Sequence, residues 1–81
     1  MVKIVWDEPK RQATIEKHGF DFADLMEAFF AAAVRVPAKA GRFMAIGELG
    51  GTVVTVVAAG LGSEAISVVS MRRADRKERR L

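Results

Sequence analysis

The sequence predicts an α+β fold: a small antiparallel β-sheet, built as a meander, packed against two N-terminal helices and followed by a short C-terminal helix. Three observations predict it. Apolar residues recur at three- and four-residue steps before residue 33. From residue 42 they run in strand-like blocks, and glycine-rich turns separate those blocks. With 81 residues the chain forms one domain, 1–81, and a hydrophobic content of 51% is enough for one core and argues against disorder.

Val2, Ile4 and Trp6 alternate with Lys3 and Val5, the period-two pattern of a short first strand. Asp7 is placed to cap a helix by accepting a backbone N–H near Pro9 or Lys10. Pro9 fits the first turn, where its missing N–H has no helical partner in any case. This helix runs to about His18, Gly19 supplies a left-handed stop, and Lys17 and His18 suit the negative end of the dipole. Asp21 opens a second helix through Phe30 or Ala32. Its Phe22, Leu25, Met26, Phe29 and Phe30 form one apolar face that covers the sheet.

Val34 to Val36 begin a second strand ended by Pro37, and residues 38–41 form a loop. Residues 42–49 are a strand, Gly50-Gly51 a two-residue hairpin turn and residues 52–59 the return strand. Gly60-Leu61-Gly62 is a second tight connection, and residues 64–71 the last strand. The run Thr52-Val53-Val54-Thr55-Val56-Val57 is apolar on both faces, as a central covered strand requires. Asp75 and Glu78 have capping-box spacing and start the terminal helix, which carries arginines along it.

Composition removes several function classes. There is no cysteine, so neither disulfides nor a cysteine metal site are available. The N-terminus lacks the apolar core of a signal peptide. The longest apolar stretch, residues 53–61, is interrupted by Thr55 and Gly60 and falls far short of the roughly 20 residues that span a bilayer. A soluble, cytoplasmic protein without membrane contact is expected. One histidine and no tyrosine leave no metal cluster and no Cys–His pair. A Ser–His–Asp site from His18 with Ser63, Ser67 or Ser70 lacks a nucleophile-elbow sequence. Gly47, Gly50 and Gly51 suit turns rather than a phosphate loop, which needs a following helix.

The net charge of +3 is unevenly placed. From Arg72 onward six basic residues (Arg72, Arg73, Arg76, Lys77, Arg79, Arg80) stand against Asp75 and Glu78, so this end carries +4 and the rest −1. Such a cluster attracts polyanions, nucleic acid first among them, and is equally the composition of a solvated helix end. On the first helix Lys10, Thr14, Lys17 and His18 share one face, with Ile15 turned away from its centre. His18 has two readings: a general acid or base as the only imidazole, or a helix-terminal histidine favoured by the dipole. The pattern alone favours the second. If Arg72 and Arg73 face the same groove as this stripe, with Arg42 as a third contributor, the cations together would stabilise a phosphorane-like transition state. The phenylalanines and Trp6 follow periodic positions and are expected in the core, leaving no base-stacking platform.

Three stretches resemble the BrnT family of ribonuclease toxins. Trp6-Asp7-Glu8-Pro9-Lys10, then Lys17-His18-Gly19 and Phe22, is similar to its WDxxK…KHGxxF opening. Arg42-Phe43 with Ile46-Gly47 is similar to its RF/xxIG strand, and Ser70-Met71-Arg72-Arg73-Ala74 with Glu78-Arg79-Arg80 to its SARxA…ER ending. The resemblance implies a RelE-like fold and metal-independent endonucleolytic cleavage of RNA, chiefly mRNA, without a cofactor. It also implies a cognate ribbon-helix-helix antitoxin through which the toxin reaches operator DNA. Carried over by motif, His18, Arg72 and Lys17 would do the chemistry, and Lys10, Arg42, Arg73 and Arg76 would hold phosphate. Departures from the family pattern are Thr14 where Asn is usual, Leu61 and Ser67 where Arg is common, Pro37-Ala38-Lys39-Ala40-Gly41 in place of an acidic loop, and no tyrosine after the ER ending. They keep an alternative open: a catalytically weak or inactive toxin-fold subunit that binds nucleic acid or an antitoxin.

Overall fold

The computed structural model describes residues 2–81; Met1 lies outside them. Five strands form one sheet: β1 (Lys3–Trp6), β2 (Val34–Pro37), β3 (Arg42–Leu49), β4 (Thr52–Leu61) and β5 (Ala65–Arg73). Their order across the sheet is β1-β5-β4-β3-β2. Strands β2 to β5 are antiparallel neighbours, the expected meander. The sheet as a whole is mixed, because β1 pairs parallel with β5. This corrects the all-antiparallel expectation. Alternation shows which face of a strand is apolar but not which strand it joins, and a parallel neighbour needs a long crossover rather than a hairpin. The pairing sets Ile4 opposite Ile66 and Trp6 opposite Val68, so the apolar side of β1 joins the core.

The crossover contains α1 (Glu8–His18) and α2 (Glu27–Ala32). Gly19 ends α1 at φ 75°, its N–H donating to the Ile15 carbonyl at 2.9 Å. Asp7 is extended but its side chain makes no capping bond, contrary to expectation. Pro9 removes one of the two N–H groups that such an oxygen would take.

The second helix is shorter than predicted. A 3-10 turn at Phe22–Asp24 comes first, then Leu25 (φ −79°, ψ 131°) and Met26 (φ −126°, ψ 165°) are extended, and α2 starts at Glu27. Asp21 sets this entry. Its carboxylate takes the Arg11 guanidinium at 2.7 and 2.9 Å and the Ala23 N–H at 2.9 Å. The break lets Phe22, Leu25, Phe29 and Phe30 all reach the core and turns Met26 outward, 70% exposed. One unbroken helix would keep Met26 in the apolar stripe.

These aromatics lie on the sheet face formed by Val54, Val56 and Ala58 of β4, Ile66, Val68 and Met71 of β5 and Ala45 of β3. On that face a Cβ at Gly47 would stand 3.2 Å from a Phe29 ring carbon, so the missing side chain is what lets the ring lie against β3. Val54, Thr55 and Val56 are consecutive and fully buried, as a central strand covered on both sides must be. The turn between β3 and β4 uses positive φ at Gly50 (58°) and Gly51 (84°), the conformation that a two-residue hairpin turn demands.

β4 continues through Gly60 to Leu61, and the second turn falls at residues 62–64. Cross-strand pairing of Gly60 with Ile66 outweighs the turn preference of that glycine. β5 correspondingly extends to Arg73, so Arg72 and Arg73 belong to the strand. The capping box is present: Asp75 Oδ1 accepts the Glu78 N–H at 2.8 Å and Glu78 Oε1 accepts the Asp75 N–H at 2.9 Å. It leads into a 3-10 turn at Glu78–Arg80 rather than the expected helix, and the Glu78 carboxylate also reaches inward to the Thr55 hydroxyl. No helix among the described residues is long and apolar enough to cross a membrane.

Candidate functional site

Trp6 lies opposite Val68, and parallel strands advance together. α1 therefore begins at the end of the sheet where β5 carries Arg72 and Arg73, and it packs against β5. On α1, Lys10, Lys17 and His18 are exposed, and none of them makes an ion pair or a side-chain hydrogen bond among the described residues. Thr14, at the centre of the expected stripe, is instead buried. The face is thus two lysines and an imidazole around a covered threonine. Arg11 is set apart from it by its ion pairs with Glu8 and Asp21, each at 2.7 Å. The Asp21 contact, then Glu8, raises the Arg11 pKa further, while Arg11 and the Ala23 N–H hold Asp21 below its ordinary range.

Arg72 is not free. Its Nη1 and Nη2 donate to the two carboxylate oxygens of Glu78, each at 2.7 Å. Glu78 is 8% exposed and also accepts from the Thr55 hydroxyl at 2.9 Å. The Arg72 guanidinium, helped by the Asp75 N–H and Thr55, holds the Glu78 carboxyl at about 2 against the opposing effect of burial. Glu78 in turn raises the Arg72 pKa. This four-residue knot fastens the basic C-terminal segment to the sheet, with a further bond from the Ala74 N–H to the Val53 carbonyl at 3.0 Å.

The two adjacent arginines do not aim at one pocket. Arg72 pairs with Thr55 and Arg73 with Val54, and consecutive strand residues point to opposite faces. Arg73 shares the face of Val54 and the helices, whereas Arg72 faces Thr55 and Glu78. Arg42 lies opposite Ala59, near the other end of β4, roughly 17 Å along the strand from the Val54–Arg73 pair at about 3.4 Å per residue. Arg76 is exposed on the C-terminal segment beside Lys77, Arg79 and Arg80. The structure starts α1 toward the arginine end of β5, sets Lys17 and His18 about 15 Å farther along the helix at about 1.5 Å per residue, splits Arg72 from Arg73, and leaves Arg42 apart.

The aromatics are where periodicity puts them. Phe22, Phe29 and Phe30 are buried, and Phe20, Phe43 and Trp6 pack against the same cluster. Trp6 meets Phe22 edge-on at 6.4 Å, and its indole N–H donates to Glu8 at 3.1 Å. Sequence reasoning missed Thr55 and Glu78 as partners of Arg72. The capping-box spacing marks Glu78, but the same carboxylate reaching the central strand has no local signal.

The model of the family described as "Ribonuclease toxin, BrnT, of type II toxin-antitoxin system" matches residues 6–78. A crystal structure of the ribonuclease toxin BrnT of Brucella abortus superposes with a TM-score of 0.87 at 55% sequence identity, covering 94% of this chain and 100% of that one. No curated protein matches. With its motifs, its mixed five-stranded sheet and these two likenesses in agreement, the chain belongs to the BrnT family of ribonuclease toxins of type II toxin–antitoxin systems.

Proposed function

We propose that the chain is a cytoplasmic endoribonuclease of RelE-like fold that cleaves RNA, chiefly mRNA, arrests translation, and is neutralised by a ribbon-helix-helix antitoxin that carries it to operator DNA. The observation that carries this reading is the family match over residues 6–78. In the proposed reaction the 2′-hydroxyl attacks the adjacent phosphorus and the bond to the 5′-oxygen breaks, leaving a cyclic phosphate and a 5′-hydroxyl. His18 and Lys17, exposed at the end of α1, exchange the two protons, one taken from the 2′-hydroxyl and one given to the leaving oxygen. Lys10, Arg73 and Arg76 hold phosphate and offset the developing charge, and Arg42 contacts the strand farther along. Arg72, with both Nη atoms on Glu78, acts as a positioning residue that sets the end of β5.

The test is incubation of the purified chain with a long RNA. Wild type cleaves it, and His18→Ala slows cleavage about 100-fold or more with unchanged thermal stability, in the usual range for loss of a general acid or base. Equal cleavage by the variant would remove His18 from the chemistry. A binding-only role is the second reading, favoured by the buried Thr14 and by Leu61 and Ser67 at positions where Arg is common. Salt-sensitive RNA binding with no cleavage by wild type would establish it.

A further inference from the structure

We infer that the groove between α2 and the β3–β4 turn is the docking site for the antitoxin, and that it receives a protein segment with an apolar anchor flanked by Lys or Arg. This rests on the toxin–antitoxin reading above. The groove encloses about 490 Å³, a volume typical of sites that bind a compact group. It exists because Gly47 has no side chain and α2 presents only the small Ala28 and Ala32 toward it, so the Phe29 ring and Leu49 form an apolar floor. The break before α2 leaves Met26 70% exposed at its wall, a flexible thioether suited to covering an incoming apolar side chain.

Charge identifies the occupant. The ionisable residues lining the groove, Asp24 and Glu48, are both acidic, in a chain of net charge +3 whose cations lie elsewhere. An apolar floor with an acidic rim repels phosphate and attracts a basic, apolar protein segment. Position supplies the consequence. Gly47 pairs with Val54 and Val54 with Arg73 on the same sheet face, so an occupant sits about 10 Å, two inter-strand spacings, from Arg73. A partner seated here reaches over the proposed RNA-contacting end and blocks it.

The cognate antitoxin is the probe, titrated against isotope-labelled chain followed by NMR and against variants by calorimetry. Amides of Ala28, Ala32 and residues 47–50 are expected to shift. The double variant Ala28→Arg/Ala32→Arg is expected to weaken binding at least tenfold. Both sites are exposed on a helix that tolerates Arg, so folding should be preserved. Glu48→Lys, a rim reversal outside the helix, is expected to weaken binding about threefold, and more at low salt. RNA cleavage by the free variants should equal wild type. Binding within twofold of wild type for both variants, amide shifts confined to other surfaces, or no binding by wild type would each overturn the proposal. So would a change in the sedimentation of the free chain caused by the groove variants, which would make a second copy the occupant. If the groove variants lose antitoxin while wild type cleaves no RNA, the docking site stands and the ribonuclease reading fails.

Discussion

The hydroxyl of Thr55, in the middle of the central strand, donates to the carboxylate of Glu78 at 2.9 Å across 23 residues of chain. The same carboxylate receives both Nη atoms of Arg72 and the Asp75 N–H, so a single side chain joins β4, β5 and the C-terminal segment. Removing either charged partner strands the other one.

Arg72→Ala and Glu78→Ala are each expected to cost roughly 2–3 kcal/mol, below the full penalty for a deeply buried pair because Arg72 is partly exposed. Their double variant should show a coupling energy of at least about 1 kcal/mol in denaturant unfolding. Additive effects would mean that the knot contributes nothing beyond its separate side chains.

Acid stability depends on the same residue. Glu78 titrates at about 2 in the folded chain against an ordinary value of 4.5. A depressed folded pKa contributes stability that is fully present above the unfolded value and is lost as pH falls through the folded one. Between pH 4.5 and 2 the wild type should lose up to roughly 3 kcal/mol on this account. Glu78→Gln, less stable at neutrality, should have a flatter profile over that window. Parallel profiles for the two would assign the acid sensitivity to other carboxylates.

Gly47 should not tolerate a branched side chain. A Cβ there would already lie 3.2 Å from the Phe29 ring and 3.4 Å from the Ala33 side chain. Gly47→Val is expected to cost roughly 1–3 kcal/mol, as overpacked sites do. In a protein of this size that lowers the melting temperature by about 4–8 °C per kcal/mol. An unchanged melt would show that α2 can lift off β3 without penalty.

The two adjacent arginines should separate by readout. Arg73 is exposed and makes no ion pair among the described residues. Arg73→Ala should weaken RNA binding and reduce the log–log salt slope by about 1 while leaving stability unchanged. Arg72→Ala should lower stability first. If Arg73→Ala leaves the salt slope intact, that end of β5 does not contact RNA.

Much of the fold is legible in the residues because it is local. The alternation in β1, the paired glycines at a turn that demands positive φ, the both-face burial of β4 and the Asp75–Glu78 capping box all rest on neighbours in sequence. Of the site, the identities of the candidate cations are legible and their grouping is not. Lys10, Lys17, His18, Arg42 and the terminal arginines can be read off directly, but helical periodicity alone does not show that Thr14 would be covered. The adjacency of Arg72 and Arg73 suggests one pocket, yet placing them inside β5 rather than after it sends them to opposite faces.

By itself, then, the sequence determined most of the element types and apolar faces, and the family through motifs spread along the chain. Tertiary structure decided the parallel pairing of β1 with β5, the break at Leu25-Met26, the meeting of Thr55, Arg72 and Glu78, and the acidic-rimmed groove beside Gly47. The reason is physical. Periodicity and dihedral preference act within a few residues, whereas partner choice between strands and the burial of a charge depend on groups brought together only when the whole core closes.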